Sequence, residues 1–520
     1  MQLVGGKRTE PLWLYAVAGA LMVGGPMWRE LYVNHYPLRP EVFALTLVAA
    51  ATGTIVAAGS WLAGGLLGSA IFGGLLFLLV DLQLDLEQKT YTAVVFAGCL
   101  VLALVLVYRR AAISALALGA FYLSSLLRPS FAPPVAKSSG PSVARPNSLL
   151  VHVILDEQWG VGGLRAAGDS ATAAFLTDFY LKRGFEIYES AYSRHLLSAA
   201  SIPAVLSLGE ELGASARSPA PYSRRMERIP YFNFLRELRY EIRVYQSTFL
   251  DFCSGDVTVT SCEVQPANSI RNFGFFEGSW ATRATTAGRF FLNTRSHVYR
   301  KLVPERTIWR RSVAGGGLAA LQRLTNTVVA TPNGGVALFV HVLLPHRPVR
   351  SDAECNILTD PSQHLGYDFP EHPSDSLWRE SLRLYGGQVR CTHRALGRVI
   401  DALDRTVGRD RSIVIVHGDH GSRLHPEAPA HDELESYTLD EINSNYSTLL
   451  ALRRPGVTAA MHPEPMPLQD AIRELARSNF TGPLPTMWEH YLRQDPDSSH
   501  PRAVVRPLAP NEMLWARRPD

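Results

Sequence analysis

The first quarter of the chain is almost continuously apolar, interrupted only by short polar turns. Candidate membrane spans fall at roughly 11–28, 42–63, 65–80, 91–107 and 111–127, each long enough, or nearly so, to cross a hydrocarbon core of about 30 Å. Residues 128–147 are rich in Pro and Ser and have no apolar period, so they read as a linker. From residue 148 the pattern changes to short β-branched runs alternating with amphipathic stretches. One of these, 394–407, sets Leu396, Val399, Ile400 and Leu403 on one helical face. The alternation predicts an α/β domain with a mainly parallel central sheet. The expected organisation is a helical membrane domain of about five spans (1–127), a linker (128–147) and an α/β domain (148–520).

Three apolar strands of that domain stop at chemically active residues. The run 412–416, Ser-Ile-Val-Ile-Val, enters His417-Gly418-Asp419-His420-Gly421-Ser422-Arg423; 149–155 ends at Asp156-Glu157; 336–344 passes His341 and ends at Pro345-His346. In open α/β sheets, working residues collect beyond the carboxyl ends of the strands. A carboxylate pair, an Asp-His pair and a further His suit one or two divalent cations such as Zn²⁺ or Mn²⁺. The bland readings are an acidic turn at Asp156-Glu157, a helix-capping turn at Asp419-His420, and a core histidine at His341. His152 reads as core.

A nucleophile is also within reach. Ser198 precedes an apolar helical stretch, 204–208, and stands where a helix N-terminus favours an anion. A serine hydroxyl is a weak nucleophile unless a base or a cation activates it. Its alternative role is a helix N-cap.

Taken in order, Val-Ile-Leu-Asp-Glu (153–157), Ser-x-x-Ser-Ile-Pro (198–203), Val-His-Val-Leu-Leu-Pro-His (340–346), His-Gly-Asp-His-Gly-Ser-Arg (417–423) and the run Tyr446 through Arg453 resemble the sulfatase-like branch of the alkaline phosphatase superfamily. The resemblance covers about 148–454. With five spans ahead of it, the layout is similar to lipid A phosphoethanolamine transferases and lipoteichoic acid synthases. It implies an alkaline-phosphatase-like α/β domain with Ser198 as nucleophile, where those transferases have Thr. It implies a metal held by Asp419, His420, Ser198 and either Asp156 or Glu157. His346 then matches a second-metal or substrate-contacting histidine, while His341 and Arg423 stand as candidates for substrate phosphate contact. Either His346 or His341 would handle the proton.

Departures from the family narrow the chemistry. The residues after Ser198 are not the (Cys/Ser)-x-Pro-x-Arg of formylglycine sulfatases, which disfavours that reaction. The Asp-His pair replaces the Asp-Asn of calcium-dependent sulfatases, and imidazole suits Zn²⁺ or Mn²⁺ ahead of the hard ions Mg²⁺ and Ca²⁺. The multi-cysteine pattern of the phosphoethanolamine transferases is absent around Ser198, so their substrate does not carry over.

Charge orients the membrane part. Lys7-Arg8 and Arg109-Arg110 mark the cytoplasmic side, which makes the domain after residue 127 extracytoplasmic in a bacterial-type inner membrane. Arg29 and Arg39 run against this, in a loop expected outside. Cys99 lies in a span. Cys253, Cys262, Cys355 and Cys391 lie in the exterior domain, where disulfides persist; of three possible connectivities, Cys253–Cys262 closes a short loop and leaves Cys355–Cys391.

A net charge of +4 without a basic aromatic stripe excludes a nucleic-acid partner. Gly160-Val161-Gly162-Gly163 suggests a dinucleotide fingerprint, but Arg165 occupies the third glycine position and no nucleotide cofactor is expected. His425 and His431 read as solvated loop residues ahead of a metal-ligand role, and Arg306 with Trp309-Arg310-Arg311 as a solvated helix face ahead of an anionic-headgroup contact. The expected partners are membrane lipids and a lipid-linked or glycan ester substrate. The competing classes are a sulfuric ester hydrolase, a catalytically silent envelope-polymer binder, and a transporter. The last is disfavoured because the spans carry no interior charge.

Overall fold

A computed structural model describes residues 11–84, 94–99, 101, 146–210, 216–217, 224–255, 259–303, 311–359, 374–424, 434–494, 503–509 and 512. The chain divides into two compact units: Met1–Pro134 with Asn268–Ser312, and Val135–Ala267 with Val313–Asp520.

In the first unit the apolar runs form helices Leu12–Val33, Pro40–Ala63 and Gly65–Leu84. Among the described residues, Pro40–Ala63 alone is long and apolar enough to cross a membrane, and Leu66–Leu79 is a shorter apolar stretch. Gly, Pro and aromatic residues dilute the hydropathy of Leu12–Val33. The expected five spans are therefore not all seen: 91–107 is described only at 94–99 and 101, and 111–127 lies outside the described residues, as does nearly all of the linker. The free Cys99 is buried.

Residues 268–312 were expected in the α/β domain but fold with the helices. The Trp280–Arg295 helix sends Arg283 to Glu41, Nε–Oε1 at 2.7 Å and Nη2–Oε2 at 3.2 Å, and Glu41 is fully buried. Tyr36 also donates to Glu41 at 3.4 Å, and Arg39 donates to the Phe276 carbonyl. Asp81 accepts from the Ser296 hydroxyl (2.6 Å) and from the His297 and Val298 N–H groups (both 3.2 Å), at the start of the His297–Leu302 helix. Arg295 pairs with Glu30 at 3.2 Å, so Glu30, Glu41 and Asp81 bind the segment to one end of the three helices. Arg39, which conflicts with the charge rule in sequence, is matched here by a protein carbonyl.

The second unit is built on eight strands: β1 (Leu149–Leu155), β2 (Glu186–Tyr188), β3 (Glu241–Ser247), β4 (Ser261–Gln265), β5 (Val336–Val342), β6 (Ser412–Gly418), β7 (Leu450–Arg453) and β8 (Ala460–His462). Their order is β8-β2-β7-β6-β1-β5-β3-β4. All pairings are parallel except those of β7, which runs antiparallel to both neighbours. Every residue of β1, β5 and β6 is buried, as central strands covered on both faces must be. On one face Leu150, Ile154, Val244 and Phe339 pack against Ile202, Phe232, Leu235 and Ile472. The helix Asp375–Thr406 buries the predicted stripe of Leu396, Val399, Ile400 and Leu403. Disulfides join Cys253 to Cys262 and Cys355 to Cys391, the pairing expected from the short loop.

The buried Glu41–Arg283 pair generates a stability prediction. Removing one partner of such a pair strands the other charge at a cost of about 3–5 kcal/mol. Arg283→Met should lower the thermal unfolding midpoint of the detergent-solubilised full chain, and Glu41→Met/Arg283→Met should recover most of the loss. An unchanged midpoint in the single variant would mean that the pair does not hold the segment.

Candidate active site

The register of the three central strands assembles the site. Leu155 stands opposite Gly418 on β6 and Val342 on β5, so the next residues, Asp156 and Asp419, emerge side by side. The Asp156 N–H continues the ladder to the Val342 carbonyl at 3.1 Å. Beyond β6 the chain turns tightly beneath the 444–449 segment. Gly418 N–H donates to Leu449 (3.0 Å), Gly421 N–H to Asn445 (2.9 Å) and Arg423 N–H to Ser444 (3.0 Å). A Cβ on Gly421 would lie 2.1 Å from the Ser444 carbonyl oxygen, so only glycine lets this strap close.

Asp156, Asp419 and His420 each present a ligand atom, all within 4.8 Å of one another and all buried. The His420 Nδ1–H donates to the Gly421 carbonyl at 2.8 Å, which leaves the Nε2 lone pair facing the site. Asp156 Oδ1 and Asp419 Oδ2 are buried without a hydrogen-bond partner among the described residues. Two orphaned carboxylate oxygens beside an imidazole lone pair, whose ring is fixed by a carbonyl, form a donor set that fits a divalent cation.

Ser198 opens the Ser198–Leu206 helix, as expected, and its Oγ lies 3.2 Å from His420 Nε2. Glu157, with φ 59°, turns away from the three-ligand set. Its carboxylate takes Arg423 (Nε at 3.0 Å, with Nη2 also in contact) and the Arg347 N–H (2.8 Å), with His346 Nε2 at 3.6 Å. His341 lies wholly buried behind Asp156, Nε2 to Oδ2 3.3 Å, while the His346 side chain is 19% exposed, 3.9 Å from Asp156 Oδ1. Of the two histidines considered for proton handling, His346 is the one open to an incoming group.

Several supporting residues carry no motif that a single sequence reveals. Ser201, inside the Ser-Ile-Pro motif but without an assigned role there, donates to the Asp419 carbonyl at 2.5 Å and ties the Ser198–Leu206 helix to the end of β6. Gln469 reaches Ser193 and Ser201 at 3.0 and 3.3 Å. Tyr385 donates to the Glu157 carbonyl at 2.6 Å and accepts from the Trp159 N–H at 3.0 Å. His152, read as core, is buried between Tyr231 (3.0 Å) and His417 (2.8 Å). His425, His431, Arg306, Trp309 and Arg310 lie outside the described residues.

Burial and neighbouring charge separate the acids. Burial, then the Asp419 carboxylate, hold Asp156 well above the usual carboxylate range. Burial would also raise Asp419 and Glu157. For Asp419 it is outweighed by His420 and the Ser198 hydroxyl, and for Glu157 by His346, Arg423 and Arg347, so both stay ionised. Burial pushes His341 and His417 down to about 4, and lowers His420.

A buried catalytic edge of this kind, with a serine at a helix start facing a carboxylate-imidazole set beyond a parallel sheet, defines a sulfatase-like hydrolase or phosphoryl-type transferase. The profile of the Sulfatase family matches residues 150–470, and the chain belongs to that family. No curated protein matches. Among solved structures the chain is similar to the phosphonate monoester hydrolase of Agrobacterium radiobacter (12% identity, TM-score 0.41, 68% of this chain and 81% of that one). It is also similar to an alkaline phosphatase superfamily protein from Vibrio parahaemolyticus (12%, 0.36, 72% and 86%) and to the C-terminal periplasmic domain of EcEptC from Escherichia coli in complex with Zn (11%, 0.36, 61% and 75%).

Two predictions follow from this geometry. Asp156→Asn should reduce bound metal, measured by elemental analysis, whereas Glu157→Gln should keep the metal and raise KM about tenfold or more by freeing Arg423; metal loss in Glu157→Gln would make Glu157 a ligand. The second concerns pH. His152, His341, His393, His417 and His420 all have folded pKa values below the ordinary 6.5. Each contributes stability that is complete above about 6.5 and lost as pH falls toward the folded value, while the raised Asp156 acts in the opposite sense. With five such histidines to one such acid, the thermal midpoint of metal-free protein should fall between pH 6.5 and 4; a flat or rising midpoint would contradict neutral burial.

Proposed function

We propose that the chain is a membrane-anchored, metal-dependent transferase or hydrolase of phosphate or sulfate esters that works through a covalent Ser198 intermediate. Phosphoryl-type transfer is the preferred chemistry, and the substrate a lipid-linked or envelope-glycan ester. The observation that carries this reading is the 3.2 Å approach of Ser198 Oγ to His420 beside two orphaned carboxylate oxygens. Asp156, Asp419 and His420 would hold the cation, Zn²⁺ or Mn²⁺, with Ser198 beside them; when bound, it supplies Lewis acidity for the serine hydroxyl and for charge on the transferred group.

The chain's own residues do the rest. Ser198 Oγ, its proton released to solvent beforehand, forms a bond to the phosphorus or sulfur as the bond to the first alcohol breaks, and that alcohol leaves with a proton from His346. Arg423, fixed by Glu157, contacts the anionic oxygens of the transferred group. A second alcohol or water then attacks the Ser198 ester, returning its proton to His346. Ser201 and Gln469 keep the nucleophile helix in register with Asp419.

Membrane anchoring is supported by Pro40–Ala63, only 17% of whose apolar window is buried, and by exposed Leu47, Val48, Ile55, Leu66 and Leu67. The two disulfides favour an oxidising, extracytoplasmic setting for the α/β unit. A sulfuric ester hydrolase is the second reading, favoured by the family match itself.

The test uses full-length protein in detergent with added Zn²⁺ or Mn²⁺, offered an aryl phosphate, an aryl phosphodiester and an aryl sulfate. Turnover of one ester, lost by about 10³-fold or more in Ser198→Ala, together with a trapped adduct on Ser198 by mass spectrometry, is the expected result. Preference for the sulfate would select the second reading. Metal-free, inactive protein that binds anionic glycan would replace both with a silent binding role.

A further inference from the structure

We propose that Gln388 is a positioning residue for the reaction: its amide holds the turn that carries His346, and so aims the imidazole that gives a proton to the leaving alcohol. This role rests on the mechanism proposed above and adds to it the device that sets His346. The need for such a device comes from the turn itself. Residues 345–350 form neither helix nor strand, and all of them except His346 are buried. A buried irregular stretch must find partners for its backbone groups outside itself, and Pro345 and Pro348 bring no N–H to the task. The Arg347 N–H goes to Glu157 Oε2 at 2.8 Å, and the Arg350 carbonyl accepts from the Leu358 N–H at 3.0 Å. Three more backbone groups of the turn, the carbonyls of Pro345 and His346 and the N–H of Arg350, are met by one side chain.

That side chain is Gln388, fully buried on the Asp375–Thr406 helix. Its Nε2 donates to the Pro345 carbonyl (2.8 Å) and the His346 carbonyl (3.0 Å), and its Oε1 accepts from the Arg350 N–H (2.7 Å) and the Ser351 hydroxyl (3.3 Å). Two acceptors on one side and two donors on the other fix the orientation of the amide. One of these bonds is to the backbone of His346 itself. The His346 ring gives its Nδ1–H to the Arg347 carbonyl, so Nε2 is the atom presented to the site, 3.6 Å from Glu157 Oε1 and 3.9 Å from Asp156 Oδ1. Tyr385 and Cys391 stand three residues to either side of Gln388, on the same helical face. Tyr385 holds the Glu157 carbonyl, and Cys391 holds the far part of the loop through Cys355. One face of one helix thus fixes from behind both the turn of Glu157 and the turn of His346, and with them the spacing between Arg423 and the proton donor. The helix is itself closely seated, for a Cβ on Gly386 would fall 2.5 Å from the Thr172 hydroxyl oxygen.

The test compares kcat/KM of the full chain in detergent, with added Zn²⁺ or Mn²⁺, on matched para-nitrophenyl and phenyl esters of phosphate, methyl phosphate and sulfate. This constant reports the departure of the first alcohol, and phenol, the poorer leaving group, depends more on a donated proton. Gln388→Met keeps the length of the side chain and none of its hydrogen bonds. It should widen the ratio of para-nitrophenyl to phenyl turnover by about tenfold or more. His346→Ala should widen the ratio at least as far, and Gln388→Met should add nothing in that background. Should Gln388→Met fail to give monodisperse protein, Gln388→Glu is read instead; it keeps an acceptor for Arg350 and gives at most one hydrogen to the two carbonyls. Turnover of none of the esters, or a ratio unmoved by His346→Ala, would overturn the proposed mechanism and this role with it. A ratio widened by His346→Ala but not by the Gln388 variant, whether both esters slow in proportion or neither does, would leave the mechanism standing and reduce Gln388 to a structural amide. Further widening in the double variant would place the effect of Gln388 on another group and overturn the role as well.

Discussion

The site depends on one constraint, the parallel register of β5, β1 and β6. Because Leu155 is level with both Val342 and Gly418, three chain segments far apart in sequence release their next residues at one edge. A shift of β6 by one residue against β1 would turn Asp419 to the opposite face of the sheet and leave Asp156 without its counterpart. Full burial of all three strands makes such a shift costly, since each would move an apolar set out of its packing. Precision at the site is therefore inherited from the hydrophobic core rather than from the polar residues themselves.

That inheritance explains what the sequence disclosed. The strands were legible because they are uninterrupted β-branched runs, and the candidate ligands Asp156, Asp419 and His420 because they follow two of those runs immediately. The division of labour between Asp156 and Glu157 was not legible. Adjacent residues at a strand end differ in direction through one turn, and the left-handed φ of Glu157 is held by Asp419 just past β6, the 345–347 turn and the distant Tyr385. Ser201 shows the same limit from another side: its motif was visible, but its acceptor is a backbone carbonyl 218 residues away. The 268–312 segment escaped for a third reason. A stretch that begins and ends within an α/β pattern carries no local sign that its partners are Glu30, Glu41 and Asp81.

Electrostatics at the site follow a consistent division. Two carboxyls facing each other in a dry edge cannot both stay charged cheaply, so Asp156 is pushed well above the usual carboxylate range while Asp419 is held below it, chiefly by His420 and Ser198. Glu157 avoids that competition because two arginines and a histidine surround it. Glu157, by contrast, holds the Arg423 guanidinium in place. Neutral histidines below the edge, His152 and His417, extend the polar network into the core without adding charge to it.

The inserted segment has a consequence for the protein as a piece of architecture. Because Asn268–Ser312 belongs to the helical unit while the chain before and after it belongs to the α/β unit, the polypeptide passes between the units three times. No single cut separates them. A fragment begun at residue 148 would retain 45 residues whose buried side chains, Phe273, Phe276, Phe290 and Phe291 among them, had lost part of their cover, together with an unmatched Arg283. The enzyme is modular in fold but not in sequence, and its catalytic half cannot be lifted out intact by truncation at the linker.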